Sequence, residues 1–163
     1  LMRNYIYLIG IFFGLALAPA WASKSGDVRG PRIEKVRTTA YTYGVEENGA
    51  YPTSNAIGSR LKAGKVRSAA ADWSRWPLGT RFRVVETDQE FVVDDIGSAM
   101  VGTSTIDLFK PSAREMDRWG VRHVTIEILE WGSPEKSLKT LMPRRQSRHV
   151  REMVESLLAQ KAA

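Results

Sequence analysis

From residue 33 to residue 129 the chain repeatedly alternates apolar and polar positions. Within residues 33–42, Val36, Thr38, Ala40 and Thr42 share one face while Arg37, Thr39 and Tyr41 share the other, which is the two-residue period of a strand. Arg81-Phe82-Arg83-Val84-Val85 alternates too, and Glu90-Phe91-Val92-Val93 follows it after the polar Thr87-Asp88-Gln89. Two such runs around a short polar turn predict a hairpin. Residues 105–109 read as a short strand and residues 124–129 as a long final one. One helix interrupts them: Ser112-Ala113-Arg114-Glu115 has the spacing of a capping box, and Gly120 closes the run after Trp119. Residues 44–65 carry Gly44, Gly49, Pro52, Gly58 and Gly64 without a hydrophobic period, so they read as a long loop, often a binding element or lid. Several short strands with little helix predict a mainly β, closed barrel.

The two ends have a different character. Met2-Arg3-Asn4 is a short positive start, residues 5–18 are almost wholly apolar, and Ala20-Trp21-Ala22 is a small-residue cleavage pattern. This order predicts a secretory signal peptide over residues 1–22, cleaved after Ala22. The apolar stretch is short for a membrane span of about 20 residues. The protein is therefore expected to be exported, to the periplasm or in association with the outer membrane. Residues 23–32 are expected to be a linker, 33–132 the domain and 133–163 a basic helical tail. In that tail Val150, Met153, Val154, Leu157 and Leu158 line one helical face. The favoured expectation is a single amphipathic helix docked on the domain, with Arg144, Arg145, Arg148 and Arg151 in solvent. An envelope protein or an anionic surface bound by this helix is the alternative.

Composition narrows the chemistry. The 163 residues include no cysteine and two histidines, His123 and His149. That excludes disulfides, a thiol nucleophile, a Cys-ligated or multi-histidine metal site and a lipid-modified cysteine; no metal and no cofactor is expected. The net charge of +6 comes largely from residues 135–163, which hold seven Lys/Arg against three Asp/Glu. The domain is thus nearly neutral, and without aromatic–basic interleaving no nucleic-acid partner is expected. Catalysis, if present, falls to carboxylates, hydroxyls and basic groups.

Three aspartates lie in segments rich in turns and small residues: Asp72 in Ala70-Ala71-Asp72-Trp73, Asp95 in Asp94-Asp95-Ile96-Gly97-Ser98-Ala99, and Asp107 in Thr105-Ile106-Asp107-Leu108-Phe109. A carboxylate between Ile106 and Leu108 is costly to ionise, which raises its pKa toward that of a general acid. A second carboxylate nearby would raise it further. Strand alternation places Asp94 and Asp95 on opposite faces, and Asp95, next to Gly97, is the one expected at the site. An Asp107 that merely faces solvent on an edge strand is the alternative. Trp73 and Trp76 read as packing residues, with stacking on sugar the second reading. Asp95-Ile96-Gly97-Ser98 also resembles one half of an aspartic-protease site, but Ile96 lacks the hydroxyl and a second such loop is missing.

These segments resemble the 3D domain, a family named for three aspartates and found in the catalytic part of membrane-bound lytic transglycosylase A and in small exported bacterial wall proteins. The resemblance runs in order through Thr38-Thr39-Ala40-Tyr41-Thr42, Ala70-Ala71-Asp72, Pro77-Leu78-Gly79-Thr80, Asp95 to Gly102, Ile106-Asp107-Leu108-Phe109 and Trp119-Gly120-Val121-Arg122. It spans about residues 35–131. Ser98 stands where the family has a second glycine, and the stretch from Asp95 to Asp107 is one residue longer than its commonest pattern. The resemblance implies a six-stranded double-psi β-barrel that binds glycan strands of peptidoglycan. It places the family's acid/base aspartate on Asp107 and the companions on Asp95 and Asp72. Thr39, Tyr41, Ser98 and Ala99 are the candidate sugar contacts. The implied activity is that of a lytic transglycosylase, with a hydrolase as its variant and a non-catalytic wall-binding module as the alternative.

Overall fold

The computed structural model describes residues 32–44 and 53–162. The predicted signal segment 1–22, nearly all of the linker and the middle of the 44–65 loop lie outside the described residues. Six strands form: β1 (Arg32–Tyr41), β2 (Val66–Ala70), β3 (Arg81–Val84), β4 (Gln89–Asp95), β5 (Thr105–Phe109) and β6 (Arg122–Glu130). They close into a barrel in the order β1-β5-β2-β4-β3-β6. Pairs β1·β5 and β2·β4 are parallel, and the other four pairs are antiparallel. Closure leaves no open sheet edge to be covered. The inward positions of the strands, among them Val36, Ala69, Phe82, Val84, Phe91, Val93, Ile106, Leu108 and Ile126, are buried.

The strands expected from alternation are all present, and the hairpin joins β3 to β4 with Asp88 at φ 55° in its turn. The sequence reading missed β2. Its residues Ser68, Ala69 and Ala70 are too small and too uniform to show a period, yet all three are buried between β4 and β5. The helix α1 (Ala113–Trp119) starts at Ser112, whose Oγ accepts from Glu115 N at 3.2 Å, and ends at Gly120, φ 60°. The capping box is only half formed among the described residues. The Glu115 carboxylate turns away from the helix start and pairs with Arg67 at 2.9 Å.

The tail differs from the single helix expected. It folds as α2 (Pro134–Leu141), a 3-10 turn (Met142–Arg144) and α3 (Arg148–Ala162). The break has two causes: Pro143 sits in the 3-10 turn, and Ser133 with Pro134 makes a separate helix start, Ser133 Oγ accepting from Lys136 N. Leu141, Val150, Met153, Val154 and Leu157 join the same hydrophobic cluster as the barrel residues, while Arg144, Arg145, Arg148 and Arg151 face solvent. The docked reading of the tail therefore holds, extended to both helices. Leu158 alone of the predicted face stays largely exposed.

What stitches tail to barrel is a close backbone approach at Gly132. A Cβ there would lie 2.2 Å from Pro77 O, 2.4 Å from Leu78 O and 2.6 Å from Thr80 N. Gly132 N donates to Thr80 Oγ1 at 3.0 Å, Ser133 N to Leu78 O at 3.0 Å, and Leu78 N to Ser137 Oγ at 2.8 Å. Any side chain at 132 must push two backbone segments apart. Gly132→Ala is expected to lower unfolding free energy by about 3 kcal/mol, the upper range for overpacking. Gly64→Ala, where a Cβ meets nothing within 4 Å, is expected to change it by less than about 0.5 kcal/mol. Urea denaturation of both variants checks the contrast.

Candidate functional site

The barrel brings Asp107 and Asp95 to one outer face. On β1, Val36 and Thr38 point inward, so Thr39 and Tyr41 point out. Thr39 pairs in register with Asp107, Asp107 with Ala70 of β2, and Ala70 with Asp95 of β4. One row thus crosses four strands, with a methyl side chain between the two carboxylates. Paired residues share a face of the sheet, so Ala70 puts only a methyl group between the aspartates.

A register shift between Ala69 and Ala70 makes this row possible. Ala69 pairs with Val93 and Ala70 with Asp95, so Asp94 is the extra residue. Simple alternation was the reason expected for separating Asp94 from Asp95; the bulge and different partners are what separate them. Asp94 is buried and pairs with Lys62 and with Ser68 Oγ. Asp95 instead accepts three hydrogen bonds. Tyr41 Oη donates to its Oδ2 at 3.0 Å, and Ala56 N and Ile96 N each donate to its Oδ1 at 2.9 Å.

Asp107 is held more lightly. Thr39 Oγ1 donates to its Oδ1 at 2.6 Å, and among the described residues its Oδ2 has no hydrogen-bond partner. Burial pushes its pKa up, Asp95 adds to the rise, and the Thr39 bond and Arg37 oppose it. Asp95 is also raised by burial, against the pull of its three donors. Tyr41 is pushed up by burial and by Asp95, so it stays a proton donor. The arrangement pairs one carboxylate bonded on both oxygens with one that keeps an oxygen for an incoming group.

Asp72 lies apart from this pair. Its Oδ1 accepts from Ser74 N and Ser74 Oγ at 2.8 and 2.7 Å, and its Oδ2 from Gly102 N at 2.8 Å. No hydrogen bond joins it to Asp95 or Asp107 among the described residues. It ties the 72–76 turn to the loop that carries Ser98 and Ala99, both of which are exposed. Trp73 and Trp76 are fully buried, so they pack and do not stack on sugar. Trp73 Nε1 donates to Asp95 O at 2.9 Å, and Trp73 N to Met153 Sδ at 3.4 Å, which links α3 to the backbone of Asp95. Past the ends of β1 and β5 a cavity of about 780 Å³ opens, lined by Thr42, Tyr43, Thr53, Arg60, Leu61 and Pro111 among others.

Sequence reasoning missed Ala70 and Ala56. Ala70 acts by being small, and Ala56 through its backbone N–H, neither of which leaves a side-chain signal. No three His, Asp or Glu side chains converge to hold a metal ion among the described residues.

The chain matches the 3D domain family over residues 67–130. This stretch is similar to the 3D domain. It takes in strands β2 to β6 with α1 and contains Asp72, Asp95 and Asp107. The matched stretch thus holds all three aspartates, and β1, which precedes it, adds Thr39 and Tyr41. Comparison with curated proteins gives no match.

The raised Asp107 has a consequence for stability. The folded chain holds this proton more tightly than the unfolded chain. Stability linked to it is therefore full below the unfolded pKa and is lost as pH rises through the folded one. Asp107→Asn cannot lose it. The variant is expected to gain on the wild type at neutral pH, and the gain is expected to shrink as pH falls below the carboxylate range. Urea denaturation at pH 7 and pH 3 checks the sign; a difference that grows in acid contradicts it.

Proposed function

We propose that the domain cleaves the glycan strands of peptidoglycan by the lytic transglycosylase reaction, on a barrel of the double-psi type. The match to the 3D domain supports a cell-wall role, and the two parallel strand pairs within an otherwise antiparallel barrel fit the double-psi reading. The observation that carries the reaction is Asp107: half-buried, raised by burial, fixed on one oxygen by Thr39 and unbonded on the other. Ordinary glycosidases divide the work between two carboxylates. Here Asp95 is bonded on both oxygens by three donors, and Asp107 is the carboxylate with an oxygen left to move protons.

One is enough when the nucleophile belongs to the substrate. Protonated Asp107 donates to the oxygen between N-acetylmuramic acid and N-acetylglucosamine, and the bond from muramoyl C1 to that oxygen breaks. The Asp107 carboxylate then takes the proton of the muramoyl C6 hydroxyl, whose oxygen bonds to C1 and closes a 1,6-anhydro ring. The proton count balances and no water is consumed. The charge of Asp95 raises the Asp107 pKa and would stabilise the positive charge that develops on the sugar. Thr39 and Tyr41 orient the two carboxylates. Asp72 holds the Gly97–Gly102 turn, from which Ser98 and Ala99 present exposed positions to the glycan.

Purified sacculi digested with the wild type are expected to release anhydro-muropeptides, identified by mass spectrometry. Asp107→Asn is expected to reduce that release by about 10²–10⁴-fold, the usual contribution of a general acid. Reducing-end products would convert the reading to hydrolysis. No product from a wild type that still sediments with sacculi would leave a binding module.

A further inference from the structure

The barrel end under α1 holds a lysine that makes no ion pair among the described residues. On β5 the inward set Ile106 and Leu108 continues to Lys110, on the face opposite Asp107. Lys110 N donates to Tyr41 O at 2.8 Å, and the residue is only 6% exposed. The ammonium lies 4.0 Å from the Trp119 ring centroid and 5.2 Å from that of Phe91. Among the described residues it makes no hydrogen bond and no ion pair. Lysine is almost never buried unless it is paired.

Its neighbours are mostly cationic. Arg122 is stacked over Trp119 at 4.6 Å and fixed by Nε donating to Trp119 O at 2.7 Å and Nη2 donating to Arg118 O at 2.6 Å. Its Nη1 has no hydrogen-bond partner among the described residues. Glu115 is engaged by Arg67 at 2.9 Å. A cavity of about 220 Å³ opens here, lined by Thr87, Lys110, Glu115, Arg118, Trp119 and Arg122.

We propose that this cavity binds a small oxyanion, a carboxylate or phosphate group, between Lys110 and Arg122. Two pre-positioned cations, one on an aromatic face and one locked by backbone carbonyls, meet an anion without further ordering. The 220 Å³ is room enough for such a group. Burial and the charges of Arg67 and Arg122 lower Lys110 to about 8, against Glu115, which raises it. A bound anion reverses that balance.

The test uses the whole protein with acetate and, separately, inorganic phosphate, at ionic strength held constant with chloride. The Lys110 amine, followed through its ¹³Cε resonance, is expected to rise from about 8 toward the ordinary 10.5. The Trp119 indole N–H resonance is expected to shift saturably. Both responses are expected to vanish in Lys110→Met, whose unbranched side chain preserves the packing, and in Arg122→Gln. A stronger response to acetate assigns the group as a carboxylate, and a stronger response to phosphate assigns a phosphate. Equal responses to chloride, or responses that persist in both variants, overturn the proposal. None of these readouts depends on glycan cleavage, so the result stands apart from the activity proposed above.

Discussion

Two carboxylates share one face of a barrel with a single methyl-bearing residue between their strands. That placement is the constraint on which the site rests. Burial raises both aspartates, and the charge of Asp95 raises Asp107 further. The fold resolves the repulsion by treating them unequally. Asp95 receives Tyr41 and two backbone N–H groups, whereas Asp107 receives Thr39 alone. Hydrogen bonds to the charged form favour it, so the three donors oppose the burial that raises Asp95, whereas Asp107 has only Thr39 and Arg37 to oppose its rise.

Much of the remaining structure keeps Asp95 in place. The register shift between β2 and β4 turns it toward Ala70. Trp73 fixes its carbonyl, and Met153 of α3 fixes Trp73 in turn. From the other side, Arg144 of the 3-10 turn donates to Ala56 O, while Ala56 N donates to the Asp95 carboxylate. The basic tail thus reaches the acidic site through packing and through the Arg144 guanidinium. Arg145, Arg148 and Arg151 face solvent, and the apolar face of the tail completes the core.

Alternation made most of the barrel legible, because inward apolar positions on β1, β3, β4, β5 and β6 recur every second residue. Asp107 stood out for the same reason, as a carboxylate inside an apolar strand. What stayed hidden were features without a side-chain period. Strand β2 is built of small residues chosen for close packing between two neighbours. Gly132 looked like a domain boundary, yet it marks the tightest contact between barrel and tail. The Glu115 half of the expected capping box was lost to Arg67, a long-range partner that local spacing cannot reveal.

Asp107 holds its proton more tightly than an ordinary aspartate because it is buried and lies near Asp95. Titration of the carboxyl carbon of Asp107 by NMR tests it most directly. In the wild type it is expected to titrate above an ordinary aspartate, and in Asp95→Asn its midpoint is expected to fall. An Asp107 that titrates in the ordinary range, or one unmoved by the Asp95 substitution, would contradict the account.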